Sequence, residues 1–241
     1  MRRVKNIIRN IGGYVYYNAI KKFQDYGNRC LIYHAFGSKL RHDTYGISIN
    51  INKFESHIKY LNDNYKIINI NNFRSNELTV SISIDDGYKD TIDAINILNK
   101  YNTPFALFMT TGSMNEDTFL SSNDIREISQ LKQSMIGTHG LSHCKLADLS
   151  YQKQYDELIN SKRQLESIIE RKIDITSYPH GSYNVDTLNI LSRLEYKWAA
   201  CSKKGFNSIK TNNYLLQRSE IIASDDIRDL EYKIKGYYDY Y

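Results

Sequence analysis

Short apolar stretches alternate with amphipathic ones along most of this chain, and that alternation limits the fold more than any other feature. Cys30–His34, Lys66–Ile70, Thr79–Ile84, Phe105–Met109, Met135–Thr138, Ile173–Tyr178, Trp198–Cys201 and Tyr214–Leu216 read as strands. Between them the spacing predicts helices. Phe54, Ile58 and Leu61 share a helical face, with Asn52 as a candidate N-cap. Further helices are expected over Thr91–Lys100, Asn123–Gln133, Ser150–Glu170 with Ser150 as N-cap, Val185–Leu194 and Asp225–Lys235. A strand–helix unit repeated about seven times calls for an α/β fold with a parallel sheet, open or closed into a barrel. No Gly/Ser-rich linker or internal repeat divides the chain. The expectation is a single domain over residues 29–241, preceded by a basic segment, 1–28, that is helical and packed on it.

Composition narrows the class. At 241 residues, 41% hydrophobic and 24% charged, the chain matches an ordinary globular domain rather than a disordered or fibrous one. The excess of Tyr, Asn, Ile and Lys reads as genomic bias. The net charge of +5 is spread rather than gathered into the basic stripe of a nucleic-acid binder, so nucleic acid is not an expected partner. One denser basic run, Arg2, Arg3, Lys5 and Arg9, reads most simply as a solvated tail; the sharper alternative is contact with an anionic membrane surface or substrate. No apolar run spans a bilayer, and Asn6, Arg9 and Asn10 interrupt any signal-peptide core. The expectation is a chain that starts at Met1 and stays in the cytoplasm, with peripheral contact to the inner face of the membrane as an option. Cys30, Cys144 and Cys201 are too widely spaced for a thiolate metal site and odd in number for a disulfide framework.

In an α/β sheet, reactive residues belong just after the C-terminal ends of strands. Three clusters follow three predicted strands: Asp85-Asp86-Gly87, His139-Gly-Leu-Ser-His143 and Tyr178-Pro179-His180-Gly181. Each alone is weak, since Asp-Asp-Gly is usually a turn and paired histidines are usually structural. Their common placement at one rim carries the argument. Two imidazoles and a carboxylate suit a catalytic zinc with an open position, and a second carboxylate beside it can serve as general base. Asp85 and Asp86, pointing opposite ways at a strand end, can divide those roles, with Gly87 permitting the tight turn.

These residues resemble the polysaccharide deacetylases with the NodB-homology domain. SISIDDGYKDT is similar to their first motif, THGLSH to their metal-binding histidine motif, and SYPHGSYN to their third. LIYHAF and FESHIKYLNDNYKII are similar to the N-terminal part of one branch, so the likeness covers about residues 30–220. The resemblance implies a distorted (β/α)7 barrel and removal of an N- or O-acetyl group from a sugar. It further implies zinc or another divalent metal on Asp86, His139 and His143, with Asp85 as base. The backbone N–H of His180 would help stabilise the oxyanion. Two positions depart from the family pattern. Ser177 stands where an Arg usually holds the catalytic Asp, and Arg218 stands where a His usually acts as general acid. Arginine is a poor acid. Arg218 is therefore expected to orient Asp85 or bind an anionic group, with His34 or His180 as the proton donor. The substrate expected is an acetamido-sugar or glycan precursor in surface-polysaccharide or glycolipid biosynthesis. Two alternatives remain: a NodB-like glycan-binding protein without turnover, or a deformylase or other amide hydrolase on the same fold.

Overall fold

The computed structural model describes residues 2–19, 27–41, 43–73 and 77–240, with side chains from residue 11 onward in the first segment. The first helix, α1 (Arg2–Ala19), lies in the expected N-terminal segment; residues 20–26 of that segment fall outside the described residues. Seven strands run parallel: β1 (Asn28–Tyr33), β3 (Thr79–Ile84), β4 (Phe105–Met109), β5 (Ser134–Thr138), β6 (Ile175–Ser177), β7 (Trp198–Ala200) and β8 (Arg218–Glu220). Their spatial order is β7-β6-β5-β4-β3-β1-β8, and a short β2 (Lys66–Ile67) sits beside the start of β3. A bridge between Ala200 and Leu216 ties the two ends of this path together. The Arg218 N–H adds a bond to the Lys203 carbonyl at 2.9 Å. The sheet is thereby a nearly closed, distorted barrel, as the resemblance implies.

Helices α2 (Ile51–Asn64), α3 (Thr91–Lys100), α4 (Ser122–Ser129), α5 (Tyr151–Ile169), α6 (Val185–Arg193) and α7 (Ile227–Lys235) alternate with the strands. Side chains alternate between the two faces of each strand. Val80, Ile82 and Ile84 join Phe105, Leu107 and Met109 in the large core beneath the helices. The other parity forms a smaller interior core, in which Cys30, Ala106, Phe108, Ile175, Ala200 and Leu216 pack together. On β3 the interior positions are polar: Ser83 Oγ donates to the Leu31 carbonyl, and Asn28 Nδ2 donates to Ser81 Oγ.

Several boundaries differ from the sequence expectation. The N-cap of α2 is Asn50, whose side chain accepts from the N–H groups of Asn52 and Lys53, so Asn52 is already helical. Ser150 is extended at the start of α5 but makes no side-chain cap bond. Helix α4 stops at Ser129, where Gln130 N–H turns back onto Glu127 and Ile128. The largest shift concerns the last strand. Tyr214–Leu216 contributes only the Leu216 bridge, and the strand itself is Arg218–Glu220. Its two charged residues lack the apolar signal that marks a buried strand, and Arg218 is buried through an ion pair instead.

Leu107 is fully buried between the sheet and the helices. Leu107→Ala should lower unfolding free energy by about 2–5 kcal/mol, read from denaturant midpoints at unchanged slope.

Candidate metal and active site

The interior parity that begins inside the barrel continues past the strand ends. Ser81 and Ser83 on β3 are followed by Asp85, and Ile175 on β6 by Ser177; Leu216 is followed by Arg218 on β8. These side chains converge. Arg218 Nη1 donates to Asp85 Oδ1 at 2.7 Å and Nη2 to Oδ2 at 2.8 Å, a two-pronged pair with both partners buried. The guanidinium also donates to Ser83 Oγ and, through Nε, to the Cys201 carbonyl. Ser177 Oγ reaches the same carboxylate at 3.4 Å. Burial would raise the Asp85 carboxyl, but Arg218 and His139 outweigh it and hold it below the ordinary carboxylate range. Of the two roles expected for Arg218, orientation of Asp85 is therefore the one the geometry supports. The guanidinium comes from β8, whereas the family motif supplies one from the position held here by Ser177.

Asp86 breaks the parity. Its φ of 71° and that of Gly87 at 83° turn the chain sharply, so the Asp86 carboxylate swings toward β5. His139 continues the interior row of β5. His143 follows on a loop rather than a helix, with positive φ at Gly140 and His143. Glu157 on α5 holds that loop by accepting from the backbone N–H groups of Leu141 and Ser142, both at 2.9 Å.

Asp86 Oδ1 faces His143 Nε2 at 3.2 Å and His139 Nε2 at 3.4 Å, yet among the described residues this buried oxygen has no hydrogen-bond partner. One ligand atom from each of the three residues lies within 4.8 Å of the others. His139 Nδ1 lies 3.0 Å from the Ser177 carbonyl and 2.5 Å from Ser177 Oγ. Because the carbonyl only accepts and the hydroxyl gives its own proton to Asp85, Nδ1 donates and Nε2 carries the lone pair facing Asp86. Burial pushes the His139 imidazole down to about 4 despite the two facing carboxylates, so it is neutral near pH 7. Burial also opposes ionisation of Asp86, and His143 and His139 overcome it, keeping the carboxyl well below its usual range. Burial opposes protonation of His143, but Asp86 outweighs it and raises that imidazole, so a metal bound there would displace a proton. A carboxylate and two imidazoles aimed at one point form a donor set that can hold a divalent metal.

The site opens into a cleft of about 490 Å³ that includes all three of these residues and Asp85. His34 lines it too. The register pairs Tyr33 with Ile84, so His34 flanks Asp85, and its Nδ1 is buried with no partner among the described residues. His180 is exposed at the rim on a 3₁₀ turn (Pro179–Gly181), with φ of 56°. Its ring lies 4.5 Å from that of His143, and its Nε2 donates to the His143 carbonyl. Asp43, Tyr45, Ser202 and Glu220 also line the cleft and carried no sequence signal. Tyr45 is hidden among 21 tyrosines, and Glu220 lies on the misplaced last strand. Trp198 packs edge-on against Phe73, away from the cleft.

The sequence profile of the polysaccharide deacetylase family matches residues 74–199, just over half of the chain. This chain belongs to the polysaccharide deacetylase family. Its relatives include Bacillus subtilis YxkH, named as a polysaccharide deacetylase, at 30% identity over 203 residues, covering 79% of this chain and 70% of that one. The poly-β-1,6-N-acetyl-D-glucosamine N-deacetylase of Staphylococcus aureus is 26% identical over 202 residues, covering 74% and 69%. Among solved structures, Streptococcus pyogenes deacetylase PplD superposes with a TM-score of 0.76 at 23% identity, over 88% of this chain and 99% of that one. IcaB from Ammonifex degensii superposes with a TM-score of 0.71 at 16% identity, over 90% and 98%. The family fold is thus retained, while the guanidinium facing Asp85 comes from the last strand.

Arg218→Met should leave Asp85 buried and unpaired and cost about 3–5 kcal/mol of stability. Adding Asp85→Asn should recover part of that loss, a non-additivity that a double-mutant cycle in denaturant reads directly.

Proposed function

We propose that this chain is a metal-dependent deacetylase that removes the N-acetyl group of a sugar. The observation that carries the reading is the convergence of Asp86, His139 and His143 beside an Asp85 whose carboxylate is locked by Arg218. Zinc is the ion we assign, because a carboxylate with two imidazoles and an open side suits it. Bound there, the ion would polarise the acyl carbonyl and acidify a water. Asp85 takes the proton from the attacking water as its oxygen bonds to the acyl carbon. Arg218 keeps both carboxylate oxygens in one plane for that step. The leaving nitrogen needs a proton as its bond to carbon breaks, and Arg218 cannot give one. We assign that role to His34, on the strength of its unpartnered Nδ1 in the cleft. His180 steadies the His143 loop through its bond to the His143 carbonyl.

The substrate class follows from the lining. Acidic, imidazole, tyrosine and serine groups predominate, and no Lys or Arg lines the cleft among the described residues. This favours a neutral acetamido-sugar over one carrying a phosphate at the reacting residue. The name of the staphylococcal relative supports an N-acetylated glucosamine unit. A reading as a glycan binder without turnover draws on Arg218 in place of the family's acidic His, but a guanidinium spent on orienting a general base has its purpose in turnover.

With a divalent metal supplied, the protein should release acetate from N-acetylglucosamine oligomers. Asp85→Asn should retain the metal while its rate falls about 10²–10⁴-fold. His139→Ala and His143→Ala should lose bound metal by elemental analysis. Metal content unchanged in both histidine variants would sink the site, and an Asp85→Asn rate equal to wild type would favour binding without turnover.

A further inference from the structure

Helix α1 is mounted on the domain by one face and turns an apolar face to solvent. The mounted side is closely packed. Gly13 is buried, and a Cβ there would lie 2.8 Å from the Tyr237 carbonyl oxygen, so only glycine allows this approach. Tyr17 stacks on Tyr237 at 4.2 Å between ring centroids, and Tyr16 meets Tyr240 at 5.8 Å. The receiving segment is itself anchored: Asp239 accepts two hydrogen bonds, at 3.0 and 2.8 Å, from the fully buried Arg29.

On the opposite side, Ile11, Tyr14 and Val15 are 60%, 62% and 58% exposed. Their spacing of i, i+3 and i+4 makes one stripe, and the same spacing runs back through sequence positions Val4, Ile7 and Ile8. An amphipathic helix on a globular domain ordinarily turns its aliphatic residues inward; here they face outward. Among the described residues no helix is long and apolar enough to cross a membrane.

Charge identifies the occupant. Residues 1–23 contain six basic residues, Arg2, Arg3, Lys5, Arg9, Lys21 and Lys22, and no Asp or Glu. The rest of the chain holds 26 basic and 27 acidic residues, so although basic residues occur all along the chain, its net positive charge comes from this first segment. An aliphatic stripe on a helix whose surrounding sequence carries basic and no acidic residues is the composition of helices that lie in the plane of an anionic interface. Each basic residue close to such a surface contributes about 1 kcal/mol. We propose that the outer face of α1 docks on an anionic lipid surface, with Ile11, Tyr14 and Val15 entering the headgroup boundary and the cationic N-terminal sequence supplying the attraction to lipid phosphates. This inference is independent of the chemistry in the cleft.

Flotation of the full chain with vesicles tests it. Equimolar phosphatidylglycerol and phosphatidylcholine should bind the protein, and phosphatidylcholine alone should bind it at least about tenfold less. The double substitution Ile11→Asn with Val15→Asn should reduce binding to the anionic vesicles at least about tenfold, with the thermal midpoint unchanged because both positions are exposed. Three results would overturn the proposal. One is no binding of the wild-type chain to anionic vesicles. Another is equal binding by the double variant. The third is a dimer in sedimentation that the double variant dissociates, which would make a second copy the occupant of this face.

Discussion

Two opposite charges share the barrel interior, and the site is organised around them. Arg218 and Asp85 are both buried, and each would be costly there without the other. The pair links β3 to β8, strands separated in the sheet by β1. It therefore braces β8 to β3 across β1, and the same guanidinium reaches over the seam between β8 and β7 through its Nε bond to the Cys201 carbonyl. It also fixes the plane of the Asp85 carboxylate, which would otherwise rotate freely about its last torsion. The same side chain thus serves both the seam of the barrel and orientation of the candidate base.

Around this brace the remaining groups are set by two simple devices. Strand parity carries His34, Asp85, His139, Ser177, Ser202 and Glu220 to the interior side as their strands end. Where parity would point a residue the wrong way, left-handed backbone corrects it. Asp86, His143 and His180 all have φ between 56° and 71°, a conformation that L-residues with a Cβ adopt only at some cost. Three such residues within one cleft show that placement of these side chains prevails there over local backbone preference. The loop bearing His143 is held by Glu157 from outside the cleft, so α5 supports the site without entering it.

Much of this was legible in the sequence, and what was missed has physical causes. The strand–helix alternation and the three clusters were readable because apolar periodicity and rare residue pairs are local signals. The pairing of Arg218 with Asp85 spans 133 positions, and spacing alone left its role open between base orientation and anion binding. The final strand escaped because its burial depends on an ion pair, and hydrophobic patterning is blind to that. Asp43 and Tyr45 come from a loop with no periodicity at all. Had strand parity been extended two residues past each strand end, Ser202 would have been legible, and Glu220 too once the last strand was correctly set.

The dependence of Asp85 on Arg218 also imposes an order on biosynthesis. A ribosome delivers the acidic residue long before the arginine that neutralises it, and in between the emerging chain has nearly every strand but no counter-charge for its centre. A partly made or truncated molecule would therefore carry an unpaired carboxylate where a closed barrel needs a paired one. The geometry around Asp85 is therefore completed only when the last strand of the barrel is in place, and fragments that end before Arg218 are penalised by their own electrostatics.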